Sequence, residues 1–165
     1  YLREADVFIV TRPQTADKQA VESLYAYLDR FGKPVYAMDY APDYMEGISE
    51  RIDTSNVRGK NIIAFAGIGN PLSFFALLAG LSPEKITGVV YPDHFHYTER
   101  DINELCCLYL KKKTDCIVTT EKDYVKLESL IPCELPLFYL KTKVFLTDAA
   151  GKKTDFDSLL DVMVK

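Results

Sequence analysis

The sequence predicts an α/β protein, a three-layer α/β/α arrangement around a mainly parallel sheet, and three observations carry that expectation. From Asn61 onward apolar strands of four to six residues alternate with helical stretches. The helices carry recognisable start and stop residues, such as Asn70-Pro71 and Gly80. Three polar clusters follow directly on strand ends, where an open parallel sheet collects its chemistry.

Ala5 to Val10 is a short β-branched run that Thr11-Arg12-Pro13 ends, because proline cannot continue a central ladder. From Ala20 the positions Val21, Leu24, Tyr25, Leu28 and Phe31 fall at helical spacing, and Gly32 supplies the stop. Pro34 to Tyr40 returns to strand character. Ala41 to Lys60 then reads as a connector rich in Pro, Gly and charge, with Ile48, Ile52 and Val57 sufficient for a thin β-ribbon but for no core of its own. A domain boundary is expected inside it.

Strand Ile62 to Phe65 leads into Ala66-Gly67-Ile68-Gly69, with Asn70 as N-cap of a helix Pro71 to Ala79. Its Phe74, Phe75, Leu77 and Leu78 cover more than one stripe, so most of that helix is expected to be buried. Strand Ile86 to Tyr91 follows, then Pro92 to Tyr97, and Thr98 caps a helix with Ile102, Leu105, Cys106 and Tyr109 on one side. Lys111 to Lys113 close it, where cations suit the negative end of the helix dipole. Strand Cys116 to Thr119 leads into Thr120 to Asp123 and a short helix bearing Val125 and Leu130. A strand Pro136 to Leu140, a turn at Asp148 to Gly151, and a last helix capped by Asp155 with Phe156, Leu159, Leu160 and Met163 complete the chain.

Composition narrows the function classes. Of the 165 residues, 48% are hydrophobic and 27% charged, and Lys+Arg 20 against Asp+Glu 24 gives a net charge of −4, so no nucleic-acid partner is expected. The longest nearly unbroken apolar run, Phe74 to Leu81, is far short of the ~18 residues of a membrane span. Cys106, Cys107, Cys116 and Cys133 lack C-x-x-C spacing, which fits a reduced, cytosolic setting without disulfides. Tyr1 in place of Met, with a strand following closely, reads as a chain cut from something longer.

The polar clusters admit several chemistries. Gly67 to Asn70 brings backbone N–H groups to a helix N-terminus, where an anion is favoured, although glycines also serve simply to turn a strand into a helix. No G-x-x-x-x-G-K-[ST] motif occurs, so this is not a P-loop. Asp93, His94 and His96 hold both histidines of the chain, and they read as a metal site, as an acid–base pair, or as a polar loop. Thr120-Glu121-Lys122-Asp123 offers Lys122 to a phosphate, while capping alone accounts for the acids.

Taken together, A-F-A-G-I-G-N-P at 64–71 followed by Phe74-Phe75, Y-P-D-H-F-H-Y-T at 91–98 and T-T-E-K-D-Y-V-K-L at 119–127 resemble one family, the tetraacyldisaccharide 4′-kinases that make lipid A in Gram-negative bacteria. The likeness is to the carboxyl-terminal portion, and it extends to Leu2-Arg3-Glu4-Ala5-Asp6. It implies that residues 1–42 end a P-loop nucleotide-binding domain, 43–60 form a β-ribbon linker, and 61–165 form a carboxyl-terminal α/β domain. It also implies transfer of the ATP γ-phosphate to the 4′-hydroxyl of a tetraacylated glucosamine disaccharide 1-phosphate at the cytoplasmic face of the inner membrane. ATP and Mg²⁺ would be held by the P-loop domain upstream of Tyr1, so this chain alone is expected to be inactive and to hold no metal.

The resemblance further implies a catalytic role for His94 beside Asp93, and places Gly67, Gly69, Asn70, Glu121, Lys122 and Asp123 toward the same cleft. Phe95 stands where the family usually has another polar residue, which leaves His96 a bystander. Two rival readings remain: a stand-alone α/β module binding an anionic phosphosugar without catalysis, and a metal-dependent phosphoesterase using Asp93, His94 and His96.

Overall fold

The computed structural model describes residues 1–127, 129–132 and 134–163; Cys133 lies outside them. The elements in chain order are β1 (Phe8–Thr11), α1 (Lys18–Asp29), β2 (Val35–Glu46), β3 (Arg51–Asp53), β4 (Asn61–Ala66), α2 (Pro71–Ala79), β5 (Lys85–Val90), α3 (Glu99–Lys112), β6 (Cys116–Thr120), α4 (Glu121–Leu127), β7 (Leu137–Thr147), β8 (Lys153–Thr154) and α5 (Phe156–Met163). The chain forms two compact units: Tyr1–Ala41 with Lys143–Lys165, and Pro42–Thr142.

In the first unit β1 pairs in parallel with the start of β2, Phe8 opposite Val35 through Thr11 opposite Met38. The Asp17 side chain caps α1 by accepting from the Ala20 N–H, and Gly32 adopts a positive φ of 61° just beyond the helix. The end of β7 pairs antiparallel with β8 around the Asp148 to Gly151 turn. Asp148 Oδ1 holds that turn by accepting from the N–H groups of Ala150 and Lys152. The Asp155 carboxylate caps α5 through the Ser158 N–H at 2.7 Å. Leu159 of that helix is buried, whereas Phe156 and Leu160 are exposed.

In the second unit four parallel strands run in the order β7-β6-β4-β5. β4 lies between two neighbours and is buried on both faces, as its uninterrupted apolar run requires. Its residues alternate between two cores. Ile62, Ala64 and Ala66 join Val118, Phe74, Leu78 and Phe138 on the α2 side. Ile63 and Phe65 join Ile102, Leu105, Ile117, Tyr124 and Leu127 on the side of α3 and α4. This is the three-layer α/β arrangement expected, and each fully buried aliphatic side chain contributes roughly 1.5–3 kcal/mol by leaving water.

Several local expectations are corrected. α2 has the bounds anticipated, but only Phe74 and Leu78 are buried and Leu72 is 75% exposed. One i, i+4 stripe faces the sheet, so the second stripe gains no layer of its own. In α4 the buried positions are Asp123, Tyr124 and Leu127; Val125 points to solvent and Leu130 lies past the helix end. The connector also does more than link: β2 runs on through Pro42 to Glu46 and pairs antiparallel with β3, and fully buried Met45 of β2 and Val57 of the turn after β3 enter the α2-side core. Pro42 is tolerated because it falls between the residues paired with β1 and those paired with β3. Gly47 permits a tight approach there, since a Cβ would lie 3.0 Å from the Leu137 carbonyl. β7 runs on past Thr142, and the first unit takes in β8 and α5.

Candidate active site

All three polar clusters lie at the carboxyl ends of parallel strands of the second unit, Gly67 after β4, Asp93 after β5 and Thr120 at the end of β6. Parallel pairing puts these ends along one edge, so residues distant in sequence meet.

The turn after β4 is held by Asp123. Its Oδ2 accepts from the Gly67 N–H at 3.0 Å and from the Thr120 hydroxyl at 2.7 Å. Thr120 in turn caps α4, its Oγ1 accepting from the Asp123 N–H at 3.2 Å. Asp123 is wholly buried. A carboxylate there is tolerable because two donors converge on Oδ2 and the Lys126 ammonium stands 3.6 Å from Oδ1, an ion pair rather than a hydrogen bond. The Cβ that Gly67 lacks would sit 2.9 Å from the Tyr97 hydroxyl, 3.1 Å from Asp123 Oδ1 and 3.2 Å from the Pro92 carbonyl. Only glycine allows these three turns to close together. Burial first, and the neighbouring Asp123 carboxylate second, push the Tyr97 phenol far above its ordinary range.

The turn after β5 faces solvent. Asp93 Oδ1 accepts from the His94 N–H at 2.9 Å and meets Lys122 Nζ at 3.4 Å; Oδ2 lies 3.8 Å from His94 Nε2. Asp93 Oδ2 also comes within 3.4 Å of the Cβ position of Gly69. Partial burial raises the Asp93 carboxyl, but the His94 N–H, Lys122 and His94 outweigh it and hold the group below the usual carboxylate range. His94 has a positive φ of 59°, a costly conformation for a residue with a Cβ, and its side chain is 77% exposed.

The remaining expected residues divide. Asn70 caps α2, accepting from the Ser73 N–H at 3.2 Å. Glu121 pairs with Lys141 at 2.7 Å, and Tyr139, one turn of the pleat away, donates its hydroxyl to Glu46. Asp123 is a clamp inside the fold rather than a group facing a substrate. His96 is exposed and stands apart from the Asp93, His94 and Lys122 contacts. Among the described residues no group of three or more His, Cys, Asp or Glu is placed to hold a metal ion. Tyr97 and Lys126 lie inside the motifs at 91–98 and 119–127 with no role assigned to them there, and Lys141 lies outside them; a further signal for Lys126 is its i+3 spacing from Asp123.

The fold and this edge define a parallel α/β domain with a carboxylate, an imidazole and an ammonium gathered at the strand ends, the setting of a ligand-handling domain. The chain belongs to the tetraacyldisaccharide-1-P 4′-kinase family, LpxK, whose profile matches residues 1–161. A tetraacyldisaccharide 4′-kinase from Desulfatibacillum aliphaticivorans is 30% identical over 166 residues, covering 94% of this chain and 43% of that protein. The one from Flavobacterium psychrophilum is 30% identical over 146 residues, 86% of this chain and 40% of that protein. One from Chelativorans sp. is 37% identical over 100 residues, 61% of this chain and 26% of that protein. A crystal structure of LpxK from Aquifex aeolicus in complex with ATP is similar at a TM-score of 0.49 and 17% identity, over 96% of this chain and 51% of that one. The chain thus spans less than half the length of these curated relatives.

Proposed function

We propose that the whole protein containing this chain transfers the γ-phosphate of ATP to the 4′-hydroxyl of a tetraacylated glucosamine disaccharide 1-phosphate, a step of lipid A synthesis, and that the second unit supplies the acceptor side of the site. Family membership supports the reaction class. The observation that carries the residue assignment is the Asp93 carboxylate, flanked by His94 and Lys122 at the sheet edge.

The sequence has no G-x-x-x-x-G-K-[ST] motif. In this reading a P-loop domain elsewhere in the protein holds ATP and Mg²⁺, residues 1–42 end that domain, and the chain by itself does not turn over ATP. The work is done at the cytoplasmic face of the inner membrane; among the described residues no helix is long and apolar enough to cross it.

Within the chain, Asp93 orients. Kept ionised, it steadies the exposed His94 imidazole and the Lys122 ammonium, which face the same carboxylate. His94 assists removal of the proton from the attacking hydroxyl, work suited to an imidazole near neutral pH. Lys122 offers positive charge to a phosphate of the substrate, and the Gly67 to Asn70 turn lines the same edge. In the full-length protein, His94→Ala lowers kcat about 10- to 1000-fold with a folded enzyme. Turnover equal to wild type removes His94 from the mechanism.

A further inference from the structure

A strained backbone persists only where its surroundings over-determine it. Around His94 the turn is closed locally, by the Asp93 side chain on the His94 N–H and by the Phe95 N–H donating to the Pro92 carbonyl at 3.2 Å. A hold from outside the turn comes from α4. Lys126 Nζ donates to the Phe95 carbonyl at 3.3 Å, the carbonyl immediately after His94, from a helix 31 residues further on.

Lys126 is itself fixed. Its ammonium lies 3.6 Å from the wholly buried Asp123 Oδ1 and 5.9 Å from the centre of the Tyr97 ring, so it is anchored by a charge and by an aromatic face. Asp123 ties the same ammonium to the Gly67 turn through the Gly67 N–H. At the near end of the loop, the Pro92 carbonyl packs against Gly67. The segment from Pro92 to Phe95 is therefore bonded to Lys126 at its far end and packed at its near end against the Gly67 turn that Asp123 holds.

We propose that Lys126, backed by Asp123, is a positioning residue that fixes the His94 imidazole through the Phe95 carbonyl, and that it has no contact of its own with substrate. The inference rests on the reading of His94 given above. Its consequence is specific: whatever Lys126 contributes to turnover passes through His94.

The test is a double-mutant cycle in the full-length enzyme, with Lys126→Met, His94→Ala and the pair. Lys126→Met is expected to lower kcat about 10- to 100-fold, the cost of a misplaced catalytic group, while the KM for ATP stays near wild type. Lys126→Arg, which keeps a charged donor, recovers part of the loss. In the His94→Ala background Lys126→Met has no further effect, because the two act as one unit. Wild-type kcat in Lys126→Met overturns the proposal, and so does a loss that multiplies with that of His94→Ala. Lys126→Gln, which keeps a neutral donor, repeats the comparison if Lys126→Met does not fold.

A second readout separates this inference from the reading it rests on. Amide exchange at His94 and Phe95, followed by NMR, is expected to speed up at least about 10-fold in Lys126→Met while the β4 amides remain protected. If His94→Ala is fully active but exchange at His94 and Phe95 speeds up in Lys126→Met, the catalytic reading of His94 fails and the clamp stands. Unchanged exchange overturns the clamp.

Discussion

Gly67 shows how closely this edge is built. Its backbone is not in the left-handed region, so the demand for glycine comes from space alone: three oxygens occupy the volume a methyl group would need, the closest at 2.9 Å. Tyr97 and Asp123 are buried and cannot swing aside. Gly67→Ala is therefore expected to destabilise the protein by about 1–3 kcal/mol, the usual range for overpacking, measured as a lower midpoint in urea unfolding with an unchanged slope. The positions of the polar residues were legible in the sequence because strands end where apolar runs end. What each side chain touches was not, since Lys126 meets Phe95 across 31 residues and Asp123 meets Gly67 across 56. The same limit explains why Asp123 was expected to face a substrate: a carboxylate in a first helical turn looks alike whether it is solvated or enclosed.

α3 carries a titratable start. The Asp101 carboxylate accepts from the Thr98 hydroxyl at 2.6 Å and from the Thr98 N–H at 2.8 Å, and these bonds hold its pKa below the usual carboxylate value. A depressed pKa means stabilisation that is present above the unfolded value near ~4 and is lost as pH falls through the folded value. Asp101→Ala should thus be less stable than wild type at about pH 6, with the difference shrinking toward pH ~3 in thermal melts. Equal differences at both pH values would show that the carboxylate's charge is irrelevant. Elements with local signals were legible: Asn70, Pro71 and Gly80 bracket α2 in the sequence as in the structure. β2 was not, because a proline ordinarily ends a strand and only the change of pairing partner around Pro42 lets this one continue.

At the scale of the molecule the two units differ in how they are built. Every residue of both hydrophobic clusters around β4 lies within 42–142, a single stretch of chain. The first unit draws on two separated segments and, among the described side chains, buries few large ones, Phe8, Leu28, Leu146 and Leu159. Residues 42–142 expressed alone are expected to unfold cooperatively on heating and to keep an α/β circular dichroism spectrum. A broad, non-cooperative melt would show that the second unit depends on the rest of the chain. The α/β class and parallel sheet were legible from the alternation of strands and helices. What the connector packs against was not, since Met45 and Val57 sit in a charged stretch whose few apolar residues give no hint that they complete another layer.

The crossing of the sheet also sets an order of events during synthesis. β4 can zip against β5 soon after both emerge, but its other neighbour, β6, pairs Ile62 with Cys116. The Gly67 amide must wait 56 residues for its carboxylate. At the ~5–20 residues per second of a ribosome, that wait is about 3–11 s. The nascent chain spends that interval with a half-covered, strongly apolar strand, so the polar edge closes only after β6 has emerged, and a pause before Asp123 would lengthen the exposure.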